Sequence, residues 1–369
     1  MNVEELIAPH LRVMSSYTPI MPFDILSKRL GLSRDKIVKL DANENPYGPS
    51  PRAIEAIAAA DTYHIYPDPD QTALREAISH YINMPVDNVL CGSGVDEVID
   101  ILGRAFLEPG DTVFDLPPTF GMYRFEADIV NAEYVKIPRR HDFSIDVDAV
   151  IEAVQFSRRP KLLFVTNPNN PDGSSIDDES LLRLLQLPVV VVLDEAYIDF
   201  STQPSRGDWV NRYDNLMVLR TFSKLAGLAG LRVGYGIFPL PVIKHLWKIK
   251  QPYTPNVAGS IAAIAALEDR EYLLEVVGKL VSERTRLSAA ISQFQWIHVY
   301  PSEANFLLCR IADRTSGFQN AKGLKLELEQ HGILVRYFDR DGLRDCIRIS
   351  IGRPEDTDRV VAALTNLDK

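Results

Sequence analysis

The chain has 369 residues, 46% of them apolar and 24% charged, with 40 basic against 50 acidic side chains and a formal net charge of −10. That balance belongs to a globular chain of two domains or one large one, long enough to bury a sizeable core. The acidic excess argues against nucleic acid or an anionic membrane surface as partner, so an anionic substrate has to be met by locally placed arginines.

The opening residues Met1-Asn2-Val3-Glu4-Glu5 carry no basic segment before an apolar run, so no secretory signal is expected. The first 45 residues bear prolines and lack a clear period; they are expected to form an arm on a C-terminal domain. From about residue 85 to 240, short apolar runs alternate with helical patterns. The predicted strands are 89–91, 112–114, 134–137, 162–166, 189–193, 217–220 and 233–237. Several are apolar throughout, as strands buried on both faces of a parallel sheet are. Between the first two, Val95, Val98, Ile99, Leu102 and Phe106 recur at helical spacing. The alternation predicts an α/β layered domain. Beyond Pro239, Pro241, Pro252 and Pro255, a long helical stretch is predicted over 256–293, then strands at 306–309, 333–335 and 346–351, and a last helix over 355–367. This makes a smaller α/β C-terminal domain. The longest apolar stretch, 187–193, contains a proline and is too short to span a bilayer.

Cys91, Cys309 and Cys346 lie far apart and form no CxxC pair, so neither a disulfide framework nor a zinc site is indicated, and a reducing cytosol fits. The seven histidines show no metal-ligand spacing. Neither GxGxxG nor a P-loop is present.

The most telling segment is Thr221-Phe222-Ser223-Lys224, followed by Gly227 and Arg232. A lone lysine is usually a solvated surface charge. A reactive one must shed its proton, which apolar surroundings and neighbouring cations favour. Lys224 here can form a Schiff base with an aldehyde cofactor, while Thr221, Ser223 and Arg232 donate to a phosphate beside it. Aldehyde plus phosphate indicates pyridoxal 5′-phosphate.

Ligands of parallel sheets sit outside the carboxyl ends of the strands, and other unusual residues fall at those ends. Asp194 follows the strand 189–193; a carboxylate there can keep a pyridine nitrogen protonated, and Tyr197 can reach the ring's 3-oxygen. Read alone, Asp194 is as readily a helix cap. Asn167-Pro168-Asn169-Asn170-Pro171-Asp172-Gly173 is a rigid turn by composition, and Asn170 can donate to the same oxygen. Gly92-Ser93-Gly94-Val95 opens a helix where backbone N–H groups can meet an anion. Phe120, in the segment 117–123, can stack on the pyridine face, although a core phenylalanine reads the same.

With these motifs the chain resembles the fold-type I aminotransferases and, within them, the histidinol-phosphate aminotransferases. Asp41-Ala42-Asn43-Glu44-Asn45-Pro46-Tyr47-Gly48 and Arg348 near the end complete the resemblance, which covers nearly the whole chain. It implies a seven-stranded, mostly parallel sheet in a large pyridoxal-phosphate-binding domain (46–252), a small C-terminal domain (253–369) and an arm (1–45). It assigns Lys224 the Schiff base and Asp194 the ring nitrogen. Tyr197 and Asn170 hold the 3-oxygen, and Phe120 stacks on the ring. Ser93, Gly94 and Val95 at the helix start, with Thr221, Ser223 and Arg232, surround the cofactor phosphate. Tyr66, in Ile65-Tyr66-Pro67-Asp68, would reach the cofactor of a neighbouring subunit, which makes the active form a homodimer. Arg348 would take the α-carboxylate, Tyr17 and Arg336 would lie near the substrate's distal end, and Asn43 would bind substrate from a turn near the pocket. Two departures stand out: Phe120 where a tyrosine is frequent, and Asp172 where the turn usually has threonine.

The expected activity is transfer of the amino group of histidinol phosphate to 2-oxoglutarate. Aromatic amino-acid transamination, a phosphothreonine decarboxylase-like lyase and a cofactor-sensing regulator are the alternatives. The last needs a DNA-binding module that about 45 residues ahead of the first motif do not supply.

Overall fold

The computed structural model describes residues 1–16, 22–313 and 318–368. Tyr17 lies outside the described residues. Among them, no helix is long and apolar enough to cross a membrane.

The large sheet has seven strands in the spatial order Val89–Gly92, Gly234–Ile237, Leu216–Thr221, Val190–Asp194, Pro160–Thr166, Thr112–Asp115, Glu133–Lys136. Gly234–Ile237 runs antiparallel to both its neighbours, and the remaining pairings are parallel. All seven predicted strands are present, with ends shifted by a residue or two. The apolar runs are continuous because both faces are covered. Leu163, Val165, Val191 and Leu193 enter one core with helices Pro51–Ala59 and Thr72–Ile82. Leu162, Phe164 and Val192 enter the opposite core with helix Val95–Phe106. Successive strand residues point to opposite faces, so one apolar run serves two cores.

The helix Val95–Phe106 packs hard on the sheet. A Cβ at Gly234 would collide with the backbone of Gly94 and Val95, so only glycine admits this approach.

The small sheet has five strands, ordered Val38–Leu40, Ile333–Tyr337, Cys346–Ser350, Phe306–Ile311, Ile297–Val299. The first of these was hidden in the aperiodic arm. It pairs in parallel with Ile333–Tyr337, Val38 opposite Ile333 and Leu40 opposite Val335. The arm is divided in its contacts: Leu26 and Ile37 pack on Leu334, whereas His10 Nε2 lies 3.0 Å from the Ile129 carbonyl oxygen of the large domain.

The predicted helix over 256–293 is two helices, Val257–Glu268 and Arg270–Ile291, broken at Asp269. Ala262, Ala263, Ala265 and Ala266 of the first join the core of the large sheet. In the second, Leu273 still belongs to that core, while Val276, Leu280 and Leu287 belong to the small-sheet core with Val360 and Leu364. Helix Arg270–Ile291 therefore contributes to both cores, beyond the expected boundary at 252/253. Small alanines let Val257–Glu268 lie close to its neighbours, a packing feature that a hydrophobic count does not distinguish from an independent helix.

Candidate active site

The carboxyl ends of the large sheet's parallel strands meet the edge of the small sheet around a cavity of about 270 Å³. Its lining includes Asn43, Val95, Phe120, Asn170, Asp194, Tyr197, Thr221, Ser223, Lys224, Arg232, Arg336 and Arg348. Twelve of the proposed site residues thus line one cavity. Ser93 and Gly94 stand just outside the lining. The Ser93 N–H donates to the Glu97 carboxylate, and the Gly94 N–H donates to the Gly92 carbonyl at 2.8 Å. These two amides are therefore engaged within the loop, and the side of the cavity they flank is lined by Val95 and Asp96. Gly94 has φ +81°, and a Cβ on it would strike the Arg232 guanidinium. Tyr66 is apart from the cavity: it is 79% exposed and stacks on Tyr253 with centroids 4.6 Å apart.

Asp194 ends strand Val190–Asp194 and is almost wholly buried. Its Oδ1 accepts from the Ala196 N–H at 3.0 Å, and its Oδ2 accepts from the Tyr123 hydroxyl at 2.6 Å. Burial raises its pKa above the ordinary carboxylate value; the Tyr123 bond and the nearby Lys224 charge pull the other way. Each carboxylate oxygen has a second acceptor position. A buried carboxylate with acceptor capacity left and a desolvated charge fits a cationic N–H placed against it, such as a protonated pyridine.

Tyr123 was not singled out by the sequence. It sits three residues after Phe120, second in helix Met122–Ile129, and stacks on Phe164 at 4.4 Å. Its hydroxyl lies 3.0 Å from Thr166 Oγ1, which lies 3.0 Å from Thr119 Oγ1. Thr119 donates at 3.0 Å to Asn169 Oδ1, and Asn169 donates to Asp172. A hydrogen-bonded chain thus runs from Asp194 to the Asn167–Gly173 turn. Asp172 does cap that turn: its Oδ1 accepts from the Ser174 N–H at 2.8 Å. Burial raises its pKa, opposed first by the Arg139 guanidinium.

Lys224 is half-buried, with Nζ 5.9 Å from the Tyr197 ring centroid and donating to the Ala42 carbonyl at 3.3 Å. The Tyr197 hydroxyl accepts from Asn43 Nδ2 at 3.0 Å, which leaves its own proton for another acceptor. Arg232 meets Asp96 at 2.8 Å. Arg348 donates to Asn170 Oδ1 and, at 2.9 Å, to the Asp41 carbonyl. Holding Asn170 by its oxygen turns its NH2 into the available donor, which is the orientation a ring oxygen needs.

On the small sheet, Arg336 and Arg348 are directly opposed across antiparallel strands. Like charges in that register repel. Phe338 lies between them, 5.6 Å from each guanidinium carbon. Two guanidiniums opposed beside a cavity are suited to anionic ligands.

A family profile described as aminotransferase class I and II matches residues 35–364. The chain belongs to the class I and II aminotransferases. A relative from Roseiflexus castenholzii named histidinol-phosphate aminotransferase is 50% identical, with 98% of each chain covered. The chloroplastic histidinol-phosphate aminotransferase 1 of Arabidopsis thaliana is 48% identical over 98% of this chain and 85% of its own length. The crystal structure of histidinol-phosphate aminotransferase from Sinorhizobium meliloti in complex with pyridoxal-5′-phosphate superposes with a TM-score of 0.88 at 27% identity, covering 98% of this chain and 97% of that one.

Proposed function

We propose that this enzyme uses pyridoxal 5′-phosphate to transfer the amino group of L-histidinol phosphate to 2-oxoglutarate, giving imidazole acetol phosphate and glutamate in histidine biosynthesis. The 50% identity across 98% of both chains with the Roseiflexus relative carries the reading. The cavity supports it with a lysine, a buried carboxylate and four arginines.

When bound, the cofactor supplies an aldehyde and a cationic ring able to take up negative charge from the substrate's α-carbon. Asp194 holds that ring's N–H, and Tyr123 and the Ala196 amide hold Asp194 in place. Tyr197 and Asn170 donate to the ring's 3-oxygen, and Phe120 covers one face. Thr221, Ser223 and Arg232 would take the phosphate at the start of helix Val95–Phe106, where the Ser93 hydroxyl is left to join them because the Ser93 and Gly94 amides are engaged within the loop. Lys224 Nζ would hold the cofactor through its aldehyde and would be freed when the substrate binds. As a free amine it removes the proton from the substrate's α-carbon, then returns it as general acid. Arg348 binds the α-carboxylate of glutamate and 2-oxoglutarate. Arg336, with Tyr17 and Asn43, serves the phosphate-bearing end of histidinol phosphate, which has no α-carboxylate.

The active form is a homodimer in this reading, with exposed Tyr66 reaching the neighbouring subunit's cofactor. In this reading the enzyme works in the cytoplasm, a reducing compartment that suits its three free cysteines.

The deciding experiment is a half-reaction. Holoenzyme is mixed separately with histidinol phosphate, phenylalanine and phosphothreonine, and conversion of the cofactor to its amine form is followed by absorbance. Rapid conversion by histidinol phosphate alone is expected. Equal conversion by phenylalanine would make it a broad aromatic aminotransferase.

A further inference from the structure

Outside the inner cavity, a larger hollow of about 1210 Å³ opens between the large domain and the loop 338–344. The two spaces share Thr119, Phe120, Gly121 and Arg340, which stand at the boundary between them, called the neck here. Three of the four are uncharged residues of the turn that enters helix Met122–Ile129. Arg340 comes from the opposite side, and a Cβ built on Gly121 would lie 3.7 and 3.9 Å from its two terminal nitrogens. Its guanidinium thus spans the neck.

The hollow is locally positive in a chain whose net charge is −10. Lys136, Arg139, Arg140 and Arg310 lie along it, with Arg140 paired to Asp146 at 3.1 Å and Arg310 to Asp345 at 3.0 Å. Its carboxylates are engaged. Asp128 is bound by Arg124 at 3.3 Å, and Asp339 and Asp341 are bound by Arg344 at 3.2 and 2.9 Å. Asp115 is buried and accepts from the Tyr134 hydroxyl. Because Arg344 takes both aspartates of the loop, Arg340 has no carboxylate partner among the described residues. Arg336, four positions earlier and inside the cavity, has none among them either. Two guanidiniums without counter-ions, one at the neck and one within, mark a path for an anion.

We infer that Arg340 is a specificity-determining residue: it engages the phosphate of the incoming amino donor at the neck and passes it to Arg336. The inference rests on the proposed substrate. A phosphate monoester offers three acceptor oxygens and most of two negative charges at neutral pH, and a planar guanidinium matches it in bidentate fashion. An exposed arginine at an entrance acts mainly on capture, and salt screens it. A donor with an uncharged side chain gains nothing from it.

The test compares wild-type holoenzyme with Arg340→Ala and Arg340→Lys. Half-reaction rates are measured with histidinol phosphate and with phenylalanine at low and high salt, and inorganic phosphate is titrated as a competitor against phenylalanine. Arg340→Ala should lower kcat/KM for histidinol phosphate about tenfold, chiefly through KM, and flatten its salt dependence. The loss should exceed that for phenylalanine at least fivefold. Inorganic phosphate should inhibit the alanine variant correspondingly less. Arg340→Lys should restore the salt dependence while recovering KM only in part, and it serves alone if the alanine variant does not fold. Equal losses for both donors, or an unchanged salt slope, would overturn the assignment. If wild type accepts phenylalanine and refuses histidinol phosphate, the proposed substrate fails. Weaker phosphate inhibition in the variant would then still support Arg340 as the phosphate-engaging residue, and unchanged inhibition would overturn it.

Discussion

The two walls of the active site are built on opposite terms. On the large-sheet side, buried Asp194, Tyr123 and Thr166 are bonded in a chain that Thr119 extends to buried Asn169. On the small-sheet side, Arg336 and Arg340 are at least partly exposed and face space without counter-ions among the described residues. Groups that hold a permanent resident benefit from rigidity, because the cost of ordering them is met once, in folding. Groups that sort transient ligands need accessible charge instead. The difference predicts that damage to the first wall harms all substrates alike, and damage to the second harms one class.

The largest effect should come from Lys224→Ala. Turnover should fall on the order of 10⁴-fold or more for every donor, as expected when the nucleophile and proton carrier is one side chain. Single-turnover absorbance would check this, with gel filtration showing an unchanged oligomeric state. An active variant would remove Lys224 from the chemistry.

Tyr123→Phe should cost about tenfold in kcat, the scale of one hydrogen bond to a charged acceptor. The loss should be the same for histidinol phosphate and phenylalanine. A donor-selective loss would erase the distinction between the walls.

Asp115→Asn probes the rim where the walls meet, and its effect is on stability. Burial pushes the Asp115 pKa up to about 6. The folded state therefore holds a proton that the unfolded chain has released once pH exceeds about 4. Stability from this group is present below that point and is lost as pH rises through about 6. Between pH 4.5 and 7.5, wild type should lose on the order of 2–3 kcal/mol more than the asparagine variant, read from urea midpoints. Parallel pH profiles would contradict it.

Much of this site was legible in the sequence because chemistry and backbone coincide there. A strand buried on both faces must be apolar, so the first polar residues after it stand out; Asp194, Asn170 and Lys224 all announce themselves that way. Tyr123 does not. A tyrosine in the first turn of a helix reads as core packing, and only the fold shows its hydroxyl against Asp194. Arg340 lay hidden for the reverse reason: a polar loop full of charge gives no hint that Arg344 neutralises its two aspartates. The break at Asp269 and the strand Val38–Leu40 depend on partners distant in sequence, which local patterns do not encode.

That strand has a consequence for how the protein is made. Val38 finds its partner only when Ile333 has been synthesised. The large sheet can assemble while the chain is still growing, but the small sheet waits with an open edge until nearly the last residues emerge. The arginine-bearing strands Ile333–Tyr337 and Cys346–Ser350 belong to that late sheet. A nascent chain could therefore offer the resident cofactor's cradle before it can tell one substrate from another, and selectivity would be the last property this enzyme acquires.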